Sequence, residues 1–254
     1  MPDFTTSDGL RIAYHLFGED AARPPVVLHH GFAASAVANW VAPGVVKALT
    51  DSGRKVIAID ARGHGDSEKP HDSAFYGEAR MARDVSELAD HLGLTSFDLV
   101  GYSMGAIVSV IVASQEPRVR RLVIGGIGDG VIDMGGVDTR VANNLDLASA
   151  LEAEDPKTIT NPATAGFRRF AESTGADRHA LAAQARAVHK SKIALERITA
   201  PSALIVGDKD PLASRPERLA AAVNGAALTV LPGDHLGVVG HEGFRAAIVD
   251  FVNG

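Results

Sequence analysis

The chain has 254 residues, 46% apolar and 22% charged, enough for one large core and too apolar for a disordered segment. A net charge of −6 supplies no basic surface for a phosphate backbone, which excludes nucleic acid as the expected partner. Cysteine is absent, so disulfides, thiolate metal sites and a cysteine nucleophile are excluded together.

The first residues, Met1-Pro2-Asp3-Phe4-Thr5-Thr6, carry neither a basic nor an apolar leader pattern, and the expectation is a cytoplasmic protein. The longest apolar stretch, 105–113, is interrupted by Ser109 and is too short to span a bilayer, so no membrane partner is expected. Ser7-Asp8-Gly9 reads as a turn feeding a strand over 11–17. Further along, short β-branched apolar runs at 26–29, 56–59, 97–100, 122–125, 203–206 and 227–231 read as buried strands. Segments of helical spacing lie between most of them, at 41–49, 78–92, 104–115 and 216–223. Strands apolar on both faces and separated by helices predict an α/β fold, a mostly parallel sheet covered on two sides. Ligands of such sheets sit beyond the carboxyl ends of the strands.

From 127 to 197 the alternation stops, and 141–154 and 163–197 have helical composition without a convincing strand. A structureless loop of that length is foreign to a compact domain. The expected organisation is therefore a core of residues 1–126 and 198–254 with a small helical cap inserted at 127–197. Gly125-Gly126-Ile127-Gly128-Asp129-Gly130 reads as a flexible hinge into that cap, because Val131 spoils its register as a dinucleotide-binding loop.

Gly101-Tyr102-Ser103-Met104-Gly105 joins the strand at 97–100 to the apolar helix that follows. A serine on a sharp strand-to-helix turn needs small neighbours, and the helix start offers unpaired N–H groups to a developing oxyanion. A serine hydroxyl needs a base, and the base needs an orienting acid. Of ten histidines, His235 stands in the loop after the last strand, within Leu231-Pro232-Gly233-Asp234-His235. The acid is Asp210, in Gly207-Asp208-Lys209-Asp210-Pro211 after the strand at 203–206, with Asp208 and Asp129 as rivals. Asp208 is read as a turn brace. His29-His30-Gly31-Phe32 ends an early strand; there Gly31 lets the chain turn, and the N–H groups of Phe32 and Met104 are the expected oxyanion donors.

Together these residues resemble the α/β-hydrolase family over nearly all of the chain outside the cap. Asp60-Ala61-Arg62-Gly63-His64-Gly65-Asp66-Ser67 is similar to that family's D-x-R-G-x-G-x-S loop, a structural element there. The chain order serine, acid, histidine also matches. Ala106 stands where relatives often carry a further glycine, and the cap is short and lacks Tyr and Trp.

The resemblance implies a serine hydrolase that cleaves a small carboxylic ester through an acyl-enzyme on Ser103. Gly31, Phe32 and Leu236 are the expected substrate contacts. No cofactor is implied, no His, Asp and Glu group has metal-ligand spacing, and a small ester-like molecule is the expected partner. Serine at the turn argues against epoxide hydrolases and haloalkane dehalogenases, which use aspartate there. The alternatives are a C–C bond hydrolase, perhydrolase or lactonase using the same triad, or a receptor of the same fold that binds a small ligand with little turnover. Oligomeric state leaves no signature in the sequence.

Overall fold

In the computed structural model, which describes residues 1–20, 22–141 and 143–254, eight strands form one sheet. They are β1 (Asp3–Thr5), β2 (Arg11–Phe17), β3 (Val26–His29), β4 (Val56–Ile59), β5 (Phe97–Tyr102), β6 (Val119–Gly125), β7 (Ser202–Gly207) and β8 (Ala227–Leu231). Their spatial order is β1-β2-β4-β3-β5-β6-β7-β8. Pairing is antiparallel for β1 with β2 and β2 with β4, and parallel across the rest.

The helices are α1 (Val45–Asp51), α2 (Glu78–His91), α3 (Met104–Ala113), α4 (Gly130–Met134), α5 (Asn144–Glu152), α6 (Pro162–Ser173), α7 (Arg178–Arg186), α8 (Pro216–Ala222) and α9 (Glu242–Asn253). Alternate strand residues point to opposite faces of a sheet, and the two cores follow that period. Val27, Ile57, Ile59, Leu204 and Val206 pack with α2, α3 and α8 on one face. Val26, Leu28, Val56, Ala58 and Ile205 pack with Trp40, α1 and α9 on the other. Every residue of α3 is buried, which is why its sequence is apolar all round rather than striped.

The differences from the sequence expectation have local causes. The helix expected over 41–49 begins at Val45, because Gly44 takes a left-handed φ of +83° that closes off the preceding π-helical turn Val37–Val41. The helical stretch expected over 163–197 is broken by Gly175 at φ +67°, and α7 restarts where the Asp177 side chain caps the His179 and Ala180 N–H groups. β8 is an edge strand, at the opposite edge from β1, and largely exposed, not buried on both faces as its β-branched run suggests. Between β6 and β7 the chain forms α4 to α7, with no strand among the described residues. Ala148, Leu151, Ala171, Leu181, Ala182 and Ala185 of α5, α6 and α7 form a separate small core that closes on Ala33. Among the described residues no helix is long and apolar enough to cross a membrane.

The glycine-rich segment after β6 is a packed joint rather than the hinge expected of it. A side chain on Gly128 would lie 2.1 Å from the Ser214 carbonyl oxygen. Asp129 is fully buried there, in ion-pair contact with Arg140, Arg215 and Arg218.

Candidate active site

Because β3, β5, β7 and β8 run parallel, their carboxyl ends reach one edge of the sheet. His29 pairs with Gly101 across β3 and β5, and Gly207 with Leu231 across β7 and β8. The loops beyond these residues carry Gly31, Ser103, Asp210 and His235 to a common place.

Ser103 follows β5 with φ +54° and ψ −117°, a conformation that side chains rarely adopt and that the surrounding packing must hold. Its glycine neighbours permit the turn. A Cβ on Gly101 would fall 2.2 Å from the Gly105 carbonyl oxygen, and one on Gly105 would fall 2.1 Å from that of His29. The Ser103 hydroxyl donates to His235 Nε2 at 2.9 Å. His235 Nδ1–H donates to Asp210 Oδ2 at 2.7 Å, which fixes the tautomer that leaves Nε2 free to accept. Asp210 is held in turn by the Leu212 N–H at 2.9 Å.

The two rival acids stand elsewhere. Asp208 accepts from the Gly233 N–H at 2.9 Å and braces the loop that carries His235. Asp129 belongs to the arginine cluster described above.

Neither the Phe32 N–H nor the Met104 N–H donates to a protein acceptor among the described residues. The loop holding Phe32 lies against the serine, since a Cβ on Gly31 would stand 3.3 Å from Ser103 Cβ. The turn itself belongs to Ala33, at φ +61°, and not to Gly31 as expected. Gly31 is small because Ser103 is close. The Gly31 N–H donates to Asn39 Oδ1 at 2.9 Å, from the π-helical turn.

Two histidines brace the same loop. His30 Nδ1–H donates to the Gly31 carbonyl at 2.8 Å while its Nε2 accepts from the Ala61 N–H at 3.0 Å. His64 Nδ1–H donates to the Arg62 carbonyl at 3.0 Å while its Nε2 accepts from the Ala33 N–H at 3.1 Å. Each ring is thus used as one donor and one acceptor, the neutral form. Burial, the largest influence on both, lowers their pKa values, His64 to about 3. His29 is also buried and lowered to about 3. Loop 60–67 is a scaffold: Asp60 accepts from the Ala36 and Asp66 N–H groups, and Arg62 grips Asp84 through two bonds of 2.7 Å.

Sequence spacing shows no metal set, yet the fold brings His15, Asp60 and Asp66 together, with one ligand atom of each within 4.8 Å of the others. Asp60 is already occupied there by two backbone N–H groups and His15, so the group reads as a loop brace.

Leu236 lines the cavity beside Ser103 and His235, together with Gly31, Phe32, Phe167 and Phe170. The last two were not singled out from the sequence. Phe32 and Phe167 meet edge to face, with ring centroids 6.1 Å apart. Tyr102, Asn39, His30 and His64 were also passed over as site residues, although Tyr102 stands inside the serine pentapeptide.

A sequence profile of the family described as alpha/beta hydrolase fold matches residues 24–135. An sn-1-specific diacylglycerol lipase of Mus musculus is 38% identical over 117 residues, 45% of this chain and 36% of that protein. The chain therefore spans about a third of that relative's length. A solved hydrolase from Pseudomonas aeruginosa PA01 is 30% identical with a TM-score of 0.75, covering 100% of this chain and 98% of that one. The enol-lactonase from Burkholderia xenovorans LB400 superposes over 100% of both chains with a TM-score of 0.81 at 21% identity, a likeness of fold. With the sheet order, the profile match and the near-full-length relative in agreement, the chain belongs to the α/β-hydrolase fold family.

Proposed function

We propose that the protein is a serine hydrolase that cleaves a small carboxylic ester through an acyl-enzyme on Ser103. The single observation that carries this reading is the unbroken relay from Ser103 Oγ to His235 Nε2 at 2.9 Å and from His235 Nδ1 to Asp210 at 2.7 Å. Ser103 Oγ attacks the ester carbonyl carbon as His235 Nε2 removes its proton. Asp210 keeps the imidazole oriented and stabilises its charged form. The carbonyl oxygen gains charge and is met by the Met104 N–H at the start of α3 and the Phe32 N–H from the loop after β3. His235 then gives its proton to the alcohol oxygen as the carbon–oxygen bond breaks. A water enters and loses a proton to His235 as its oxygen attacks the acyl carbon. The bond from that carbon to Ser103 Oγ then breaks, and His235 returns the proton to Oγ, freeing the acid and restoring the serine hydroxyl and the neutral imidazole.

The layer of α5 to α7 acts in this reading as a cap over the carboxyl edge, and Phe167 and Phe170 keep the cavity apolar and partly dry. A serine rather than a carboxylate at position 103 supports acyl transfer to oxygen over halide displacement.

A fluorophosphonate probe followed by peptide mass spectrometry tests the reading. Labelling at Ser103, lost in His235→Ala together with turnover of short p-nitrophenyl esters, is the expected result. An unlabelled Ser103 in folded protein with no ester turnover sinks it.

A further inference from the structure

Of three cavities that Ser103 lines, one of about 10 Å³ is too small for a substituent, which leaves two that can hold the halves of a substrate. Ser103, Phe32 and Phe167 line both of them. The outer cavity, about 260 Å³, is bounded on one side by His235 and Leu236. The inner cavity, about 60 Å³, lies beneath the α5–α7 layer against Met104, Ile107 and Leu147. His235 does not line it.

This division assigns the two halves of an ester. The alcohol oxygen must receive its proton from His235, so the alcohol portion lies on the outer side. The acyl substituent then points the other way, into the inner cavity. At roughly one water-sized group per 10–15 Å³, that cavity holds about four to six non-hydrogen atoms.

Its lining is not purely apolar. Gln184 is 2% exposed, and its amide N–H donates to the Met104 sulfur while Oε1 has no partner among the described residues. Asn144 is satisfied, donating to the Ala185 carbonyl at 3.1 Å. Glu78 is 3% exposed and lines the same cavity. Its Oε2 accepts from the His189 N–H at 2.6 Å, but no cation pairs with it among the described residues. Burial raises the Glu78 carboxyl above the ordinary range. Buried polar groups are normally satisfied, and an acceptor left bare beside a substrate cavity marks the place of a ligand donor.

We propose that the inner cavity is the acyl site and that it selects a short acyl chain bearing a hydroxyl, whose hydrogen is accepted by Gln184 Oε1 beside Glu78. The proposal rests on the acyl-enzyme reading above and names the substrate class within it. A hydroxyl fits better than an ammonium, because burial opposes both a charged Glu78 and a charged ligand, whereas a hydroxyl supplies the missing hydrogen and stays neutral.

The test compares ethyl 3-hydroxybutyrate, each enantiomer separately, with ethyl 3-methylbutyrate, which replaces the hydroxyl by a methyl of similar size. Ethyl 3-aminobutyrate is the charged competitor. Each kcat/KM is measured by pH-stat on the full chain and divided by the ester's rate of alkaline hydrolysis. The wild type is expected to favour one hydroxy enantiomer over the methyl ester by tenfold or more, roughly one buried hydrogen bond. Gln184→Leu should bring that ratio to about one, and Glu78→Gln should lower it less. Since each ratio is taken on one preparation, a partly folded variant does not distort it.

A wild-type ratio of one or below, a ratio unchanged in Gln184→Leu, or a preference for the amino ester overturns the proposal while fluorophosphonate labelling of Ser103 keeps the acyl-enzyme reading standing. An unlabelled Ser103 and no turnover of any ester overturns both.

Discussion

The Tyr102 hydroxyl donates to the backbone carbonyl of His235, and the two rings lie 5.3 Å apart between centroids. The residue before the serine therefore anchors the residue proposed as its base. Burial holds the tyrosine far above its ordinary pKa, so the hydroxyl stays a donor. Tyr102→Phe keeps the ring but strands a carbonyl. It should cost about 1–2 kcal/mol of stability and lower kcat about tenfold, read by urea unfolding and by ester turnover. An unchanged kcat would mean that the loop holds His235 without this bond.

Asp210 and Asp129, two of the buried carboxylates, separate by role. Asp210→Asn should lower kcat by about 10⁴ with folding retained, because the amide offers the imidazole the wrong partner. Asp129→Asn faces three arginines and no imidazole, so its effect should fall on melting temperature and leave the pH profile of turnover in place. The reverse pattern would reassign the acid.

Acid should weaken the fold through His29, His30 and His64. Their folded pKa values lie below the unfolded value of 6.5, so the unfolded chain takes up protons first as pH falls. Stability is then full above about pH 6.5 and drains away toward about pH 3, at up to about 1.4 kcal/mol per pH unit for one histidine. The His30 and His64 rings are 5.1 Å apart, so the second proton is opposed by the first and the contributions do not simply add. Urea unfolding at successive pH values should show the slope, and His64→Gln should flatten it.

Gly105→Ala and Gly31→Ala should part company. The first drives a methyl into the His29 carbonyl at 2.1 Å, in backbone that cannot yield, and no soluble folded protein is expected. The second meets Ser103 Cβ at 3.3 Å, which a small shift relieves. Gly31→Ala should fold within about 1–3 kcal/mol of wild type yet lose kcat, since the shift moves the serine against the N–H groups proposed to hold the oxyanion. Circular dichroism and ester turnover on both variants decide it.

Much of this architecture was legible because its signals are local. The runs at 26–29, 56–59 and 227–231 carry β-branched residues up to their turn-forming neighbours, and the strands stop where the runs do. Ser103, Asp210 and His235 could be picked because each follows such a run. What escaped was whatever depends on distant partners. β1 is three residues long and exists only through its pairing with β2. Asp129 reads as a hinge residue until Arg215 and Arg218, far along the chain, are brought to it. Gln184 looks like any polar residue of an amphipathic helix, and nothing near it in sequence foretells a bare acceptor in a residue that lines a cavity with Ser103. Gly31 was credited with a turn that Ala33 makes, because a glycine required for space and one required for conformation look alike in sequence.

The exposed edge strand has a consequence for how activity fails. Ser103 hangs from β5 in the middle of the sheet, whereas His235 hangs from β8, which has a single neighbour and little cover. Segments of low burial open locally at a fraction of the global unfolding free energy. In mild denaturant β8 should fray first, carrying His235 away while Ser103 stays in an intact core. Inactivation should therefore run ahead of the loss of Trp40 fluorescence, and amide protons of 227–231 should exchange before those of 97–102. Coincident transitions would show instead that the two halves of the relay melt as one unit.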